Sequence, residues 1–402
     1  MEGTTEYRLE KELTPGTTHF VIDAADRFSG SRDRSQFGSS SNYDRKTAIG
    51  SSCTEQKGDD LMSWRMPAEF EPHDRAWLAF PRDGYNLGDD AESAEEARQT
   101  WAAVANAVVG FEPVTVVVDP SSLAHARRLL SSDIELLEAP LDDAWMRDIG
   151  PTFVLGDDGA LGAVDWVFNG WGANSWATWD RDAEIGATVG THAGAEVIPS
   201  LLVNEGGGIH VDGEGTVLVT ETVQLDPQRN PYLTKARVEQ ELERTIGATN
   251  VIWLPRGLTR DYLPPGTRGH VDMVACFSAP GTILLHWQSE PSHPDYAVVR
   301  EVRSILEQAL DAAGRRLEII ELPAPETQRD HEGFVEWSYA NHFVVNGGVI
   351  SCGYGEPAAD SRAAAILAEA YGREVVTIDA RPLLIRGGGI HCITQQQPAV
   401  SR

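Results

Sequence analysis

The stretch Glu205-Gly-Gly-Gly-Ile-His-Val-Asp-Gly-Glu-Gly-Thr-Val-Leu-Val-Thr220 holds one complete structural module. A glycine-rich entry leads into a short apolar strand. Asp212-Gly-Glu-Gly215 supplies a turn, and a second apolar strand follows. Asp, Asn and Gly accept the positive φ of hairpin loops, so this order reads as a β-hairpin. It recurs along the chain. Arg147-Asp-Ile-Gly-Pro-Thr-Phe-Val-Leu155 turns at Gly156-Asp-Asp-Gly159 into Ala160-Leu-Gly-Ala-Val-Asp-Trp166. Gly269-His-Val-Asp-Met-Val-Ala-Cys-Phe277 turns at Ala279-Pro-Gly281 into Thr282-Ile-Leu-Leu-His-Trp287. Ala340-Asn-His-Phe-Val-Val345 turns at Asn346-Gly-Gly348 into Val349-Ile-Ser-Cys352. A fifth copy opens at Gly387-Gly-Gly-Ile-His-Cys-Ile-Thr394, and the chain ends before a second strand. The first apolar strand, Ala76-Trp-Leu-Ala-Phe80, is the expected partner. That pairing would close a ring and remove exposed sheet edges.

Helical periodicity falls between the modules, at 91–109, 235–245, 296–313 and 358–371. Five alternations of hairpin and helix predict an α/β fold with radial order. A doubly wound sheet is the fallback. No Gly-x-Gly-x-x-Gly opens a helix after a strand, so a dinucleotide fold has no support.

The chain has 402 residues, with 33 Lys and Arg against 61 Asp and Glu, a formal net charge of -28. Such a surface repels polyanions and attracts cations, which argues against nucleic acid and for a small cationic ligand. No run reaches the ~18 apolar residues of a membrane span. The acidic N-terminus is unlike a secretory signal, so a reducing cytoplasm is the expected setting. Residues 1–61 read as a disordered tail, rich in serine from Ser29 to Ser52. The catalytic domain is expected over 62–402, with Met62 and Met66 as alternative starts.

Of the four cysteines, Cys53 lies in the tail, and Cys276 and Cys352 read as buried strand residues. Cys392 differs, because it follows a glycine triplet that echoes Gly206-Gly-Gly-Ile-His-Val211. Glycines permit close approach of backbone to a bound group. Burial in a strand is the ordinary fate of a free cysteine, and a nucleophile needs a nearby acid or base besides. His270-x-Asp272 offers both, and period two on a strand would put them on one face. His210-x-Asp212 has the same spacing and competes for the role. Asp148 and Glu205 open their modules. With Asp272 they would set three carboxylates around one pocket, suited to the N–H fork of a guanidinium. A metal site has little support, since His-Glu-x-x-His and other ligand clusters are missing from the sequence.

Together, Trp145-Met-Arg-Asp-Ile-Gly-Pro151, Asn169-Gly-Trp-Gly172, the 205–216 motif, Gly269-His-Val-Asp272, Ser338-Tyr-Ala-Asn341 and Gly387 through Pro398 resemble the agmatine deiminase family, which includes bacterial peptidyl-arginine deiminases. The resemblance runs from about Met66 to Pro398. It implies a five-bladed α/β propeller (pentein) of pseudo-fivefold ββαβ modules, with no cofactor and a homodimer as an option. It implies Cys392 as nucleophile and His270 as general acid/base. Asp148 and Asp272 match guanidinium clamps, and Glu205 matches the acid that orients the histidine or the guanidinium. Trp145 and Gly389 join these carboxylates as substrate-binding positions. The implied reaction is hydrolysis of agmatine to N-carbamoylputrescine and ammonia. Phe80-Pro-Arg-Asp-Gly-Tyr-Asn86 and the segment after Gly172 depart from the family pattern and leave the choice of guanidine open. Alternatives are deimination of another arginine-like or peptidyl-arginine guanidine, amidino transfer to an amine, a metal-dependent amidinohydrolase releasing urea, and a binding module without catalysis.

Overall fold

Strand pairing follows one rule throughout the main unit. A hairpin forms first, then a helix carries the chain back to a third strand parallel to the hairpin's second. A parallel neighbour requires such a crossover, whereas an antiparallel one needs only a turn. Thus Ile209–Val211 pairs antiparallel with Thr216–Thr220, and helix Lys235–Ile246 returns the chain to Asn250–Leu254. Helix Asp295–Gln308 does the same between Thr282–Trp287 and Glu318–Pro323, and helix Pro357–Tyr371 between Gly348–Gly353 and Glu374–Asp379. Thr152–Gly156, Leu161–Val167, helix Ile185–His192 and Glu196–Val203 form the fourth case.

The fifth sheet joins the two ends of this unit. Thr394–Pro398 pairs antiparallel with His73–Phe80, with Thr394 opposite Leu78 and Gln396 opposite Ala76. The partner expected for the unfinished last module is therefore the one it has. Helix Ala91–Val108 then leads to Val114–Val118, parallel to His73–Phe80. The described residues of this unit thus form a mixed α/β fold of five separate three- or four-stranded sheets.

The computed structural model describes residues 8–14, 17–23, 63–84, 87–88 and 90–400. The chain divides into two units, Met1–Asp59 and Asp60–Arg402. In the first, Arg8–Thr14 pairs antiparallel with Thr17–Asp23. The serine-rich stretch and Cys53 lie outside the described residues.

Helix ends follow local chemistry. The Asp90 side chain accepts from Ser93 N at 2.8 Å and caps Ala91–Val108. Gly247 and Gly372 take left-handed φ just past the helices they end. The helix expected over 296–313 stops at Gln308, where Ala309 turns extended. Among the described residues no helix is long and apolar enough to cross a membrane.

Thr394-Gln-Gln-Gln397 is polar yet buried, and specific partners compensate Gln396 and Gln397. Gln397 Oε1 accepts from the buried Trp77 Nε1 at 3.0 Å, and Gln396 Oε1 from Arg147 at 2.8 Å. Replacing Gln397→Leu strands the indole N–H of Trp77. The expected loss is about 1–3 kcal/mol of unfolding free energy in urea titration, with a native-like circular dichroism spectrum.

Candidate active site

In four of the five sheets a short helical turn precedes the first strand and carries polar residues, and before Phe343–Val345 a non-helical turn carries Asn341. Met146–Ile149 holds Asp148, Glu205 caps Gly206–Gly208, Val271–Met273 contains Asp272, and His391–Ile393 contains Cys392. The expectation that His270 and Asp272 share one face of a strand is therefore corrected. The cause is Asp261, whose carboxylate accepts from Gly269 N at 2.7 Å and His270 N at 3.0 Å. Those amides cannot join a ladder, and Gly269 bends the chain with φ +108°. His270 then points toward Asp148 and Glu205, and Asp272 toward Cys392. Cys392 likewise lies in the turn before a strand rather than in the strand.

The glycine triplets make room for side chains. A Cβ on Gly207 would collide with His270 Nδ1, and one on Gly389 with Asn341 Oδ1. One on Gly388 would lie 2.8 Å from Trp145 and 3.0 Å from Cys392 Sγ. Trp145 and Gly389 thus shape the surroundings of the thiol, Gly389 by admitting Asn341. Asn341 donates to Cys392 Sγ at 3.3 Å and accepts from His391 N at 3.1 Å. Cys392, His270 and Asp272 line one narrow cavity with Gly388, Met273 and Glu336.

His270 Nε2 donates to Glu205 Oε2 at 3.3 Å, and its Nδ1 stands 3.9 Å from Asp148 Oδ1. Burial disfavours the imidazolium, but Asp148, Glu205 and Asp272 outweigh burial and raise the pKa to about 9. Glu205 also accepts from Arg229 Nε at 2.9 Å, so both of its oxygens are engaged. Glu205 is thus tied to both His270 and Arg229. Asp148 accepts from Gly207 N at 3.0 Å and Trp171 Nε1 at 2.8 Å. Burial pushes its pKa up to about 6. The indole arrives on a left-handed turn, with positive φ from Gly170 through Ala173.

Several site residues escaped sequence reading. His391 bridges two acids, with Nδ1 at 2.7 Å from Asp272 Oδ2 and Nε2 at 2.9 Å from Glu69 Oε2. Arg147 donates to Glu69 at 3.2 Å and to His391 O at 3.3 Å. His391 was legible only as the neighbour of Cys392 and Asn341 only as the end of the Ser338-Tyr-Ala-Asn motif, whereas Glu69 and Asp261 carry no local signature. His210 accepts from Phe277 N at 3.2 Å, and burial lowers its pKa to about 3. It is a neutral structural residue outside the Cys392 cavity, and Asp212 holds its own hairpin turn through Glu214 N and Thr216 N.

Donor atoms of Glu69, His210 and His391 lie within 4.8 Å of one another. They do not suit a metal ion. Both His391 nitrogens face carboxylates, which raise its pKa against burial, and the Arg147 guanidinium already occupies Glu69. A cation there would meet two others.

The Cys392 thiol is pushed well above its ordinary range by burial and by Asp272 and Asp148. Its Sγ lies 3.8 Å from Asp272 Oδ2. Bringing a cation between them favours the thiolate. Cys276 and Cys352 are also raised by burial, Cys352 to about 12.

Residues 65–398 match the model of the Porphyromonas-type peptidyl-arginine deiminases. The chain belongs to that family. A provisionally named agmatine deiminase of Streptomyces coelicolor is 53% identical over 339 residues, covering 84% of this chain and 99% of that one. The agmatine deiminase of Stutzerimonas stutzeri is 39% identical, over 83% of this chain and 95% of its own. The solved agmatine deiminase of Enterococcus faecalis superposes with a TM-score of 0.79 at 33% identity, over 84% of this chain and 97% of its own. The family-like motifs are the turns described above.

Asp148→Asn removes the carboxylate that does most to raise His270. The histidine's titration midpoint, followed by NMR, is expected to fall from about 9 toward 6.5. An unmoved midpoint would contradict this electrostatic assignment.

Proposed function

We propose that this deiminase-family chain hydrolyses agmatine to N-carbamoylputrescine and ammonia through a covalent amidino-thioether on Cys392. One observation carries the reading. Cys392, His270 and Asp272 share a cavity, and among the described residues Asp272 Oδ1 and His270 Nδ1 have no hydrogen-bond partner although buried. Buried polar atoms are normally paired, so these two are groups kept for a substrate. The named activity of the relatives supports the same substrate.

In this mechanism a guanidinium enters beside Asp148 and Asp272. Its charge balances theirs and lowers the thiol pKa, so Cys392 loses its proton as the cation binds. The thiolate forms a C–S bond at the guanidinium carbon, held in place by the carboxylates. His270 imidazolium gives its proton to the departing nitrogen, and ammonia leaves with the C–N bond pair. Water then attacks the amidino-thioether and neutral His270 takes its proton. The C–S bond breaks, returning the thiolate and the ureido product. Glu205, fixed by Arg229, holds the imidazole ring, and Glu69 through His391 holds Asp272.

We also read the five sheets as blades of an α/β propeller. The repeated ββαβ order, the pairing of last strand with first, and the delivery of site residues from all five entry turns support that reading.

Cys392→Ser is expected to lower kcat at least ~10⁴-fold with an unchanged melting temperature. Ammonia and a ureido product in equal amounts are expected from the unmodified chain, with chelator present. Urea and putrescine, or persistent turnover in the serine variant, would overturn the proposal.

A further inference from the structure

Guanidine chemistry leaves one acid of the Cys392 cavity without a task. Glu336 lines that cavity with Met273 and Leu384, although it comes from the irregular segment between Glu318–Pro323 and Phe343–Val345. Its flanks are anchored. Val335 N donates to Gln328 O at 3.1 Å, and Trp337 stacks on Tyr354 at 5.1 Å. The backbone on either side of Glu336 is therefore held in place.

Its charge is only partly answered. Arg260 Nε lies 3.3 Å from Glu336 Oε2 without forming a hydrogen bond, and Arg260 also faces Asp330 and Glu332. One guanidinium thus serves three carboxylates. Asp261, the other acid of this wall, is occupied. It accepts from Thr267 N and Oγ1, Gly269 N and His270 N. Burial and the Asp261 charge push the Glu336 pKa up to about 7, and a bound cation would draw the group back to the carboxylate form. Met273 and Leu384 add apolar surface to the lining of the same cavity.

Resting on the deiminase reading above, we propose that Glu336 is the specificity-determining residue of this cavity. Its carboxylate receives the distal ammonium of an aminoalkyl guanidine while the guanidinium lies against Cys392. Methylenes of the substrate run along Met273 and Leu384. An arginine, with a carboxylate on its distal carbon, meets repulsion at the same point.

The test compares kcat/KM for agmatine and for butylguanidine, which has the same chain without the ammonium. The unmodified chain is expected to favour agmatine about 100-fold, as for a buried charge pair. In Glu336→Gln this ratio should collapse toward 1, mainly through KM, and Glu336→Asp should restore part of it. A ratio that stays the same in Glu336→Gln overturns the assignment, and because it is taken within one protein, a general loss of folding does not mimic it. Failure of the unmodified chain to release ammonia from either guanidine overturns the deiminase reading, and this proposal with it.

Discussion

The site depends on how buried carboxylates are held. Asp148, Glu205, Asp272 and Glu69 are nearly or wholly inaccessible. Isolated ionised acids in such surroundings would take up protons or open the structure. Each is instead tied to a donor of defined geometry. Glu205 has Arg229 and His270, Asp148 has Trp171 and a backbone amide, and Glu69 and Asp272 share His391. The arrangement keeps one face of the thiol negative and adds an imidazolium close by. In the proposed mechanism the thiol stays protonated until a cation arrives, which would couple reactivity to the presence of the right charge.

The same arrangement explains why five modules are needed. No single hairpin presents more than part of the set. The entry turns supply Asp148, Glu205, His270 with Asp272, Asn341, and His391 with Cys392, across more than two hundred residues of chain. Glycine at 207, 388 and 389 lets these turns approach one another more closely than any side chain would permit. Sheet order and the geometry of the candidate site are thus one problem, solved at the entry to each hairpin.

Much of this was legible in the sequence. Alternating Gly-rich turns and apolar strands gave the hairpins, and the unfinished fifth copy pointed to Ala76–Phe80 as the strand beside Thr394–Pro398. The echo between Gly206 and Gly387 drew attention to Cys392. What stayed hidden was contact between distant side chains and backbone. Asp261 turns Gly269–His270 out of a strand, and nothing local to His270-x-Asp272 announces it. Glu69 reaches His391 across 322 positions. The departure from the family pattern after Gly172 also gains a place, since Trp176 stacks at 5.3 Å on Trp171, the residue that holds Asp148.

The most direct test of a covalent route is to stop the reaction with acid within milliseconds of mixing with agmatine and weigh the peptides. A transient gain in mass is expected on the peptide that bears Cys392, matching the amidino carbon with its alkylamine arm and decaying as ureido product accumulates. Product formation with an unmodified Cys392 peptide at every time point, or an adduct on Cys276 or Cys352 instead, would contradict it.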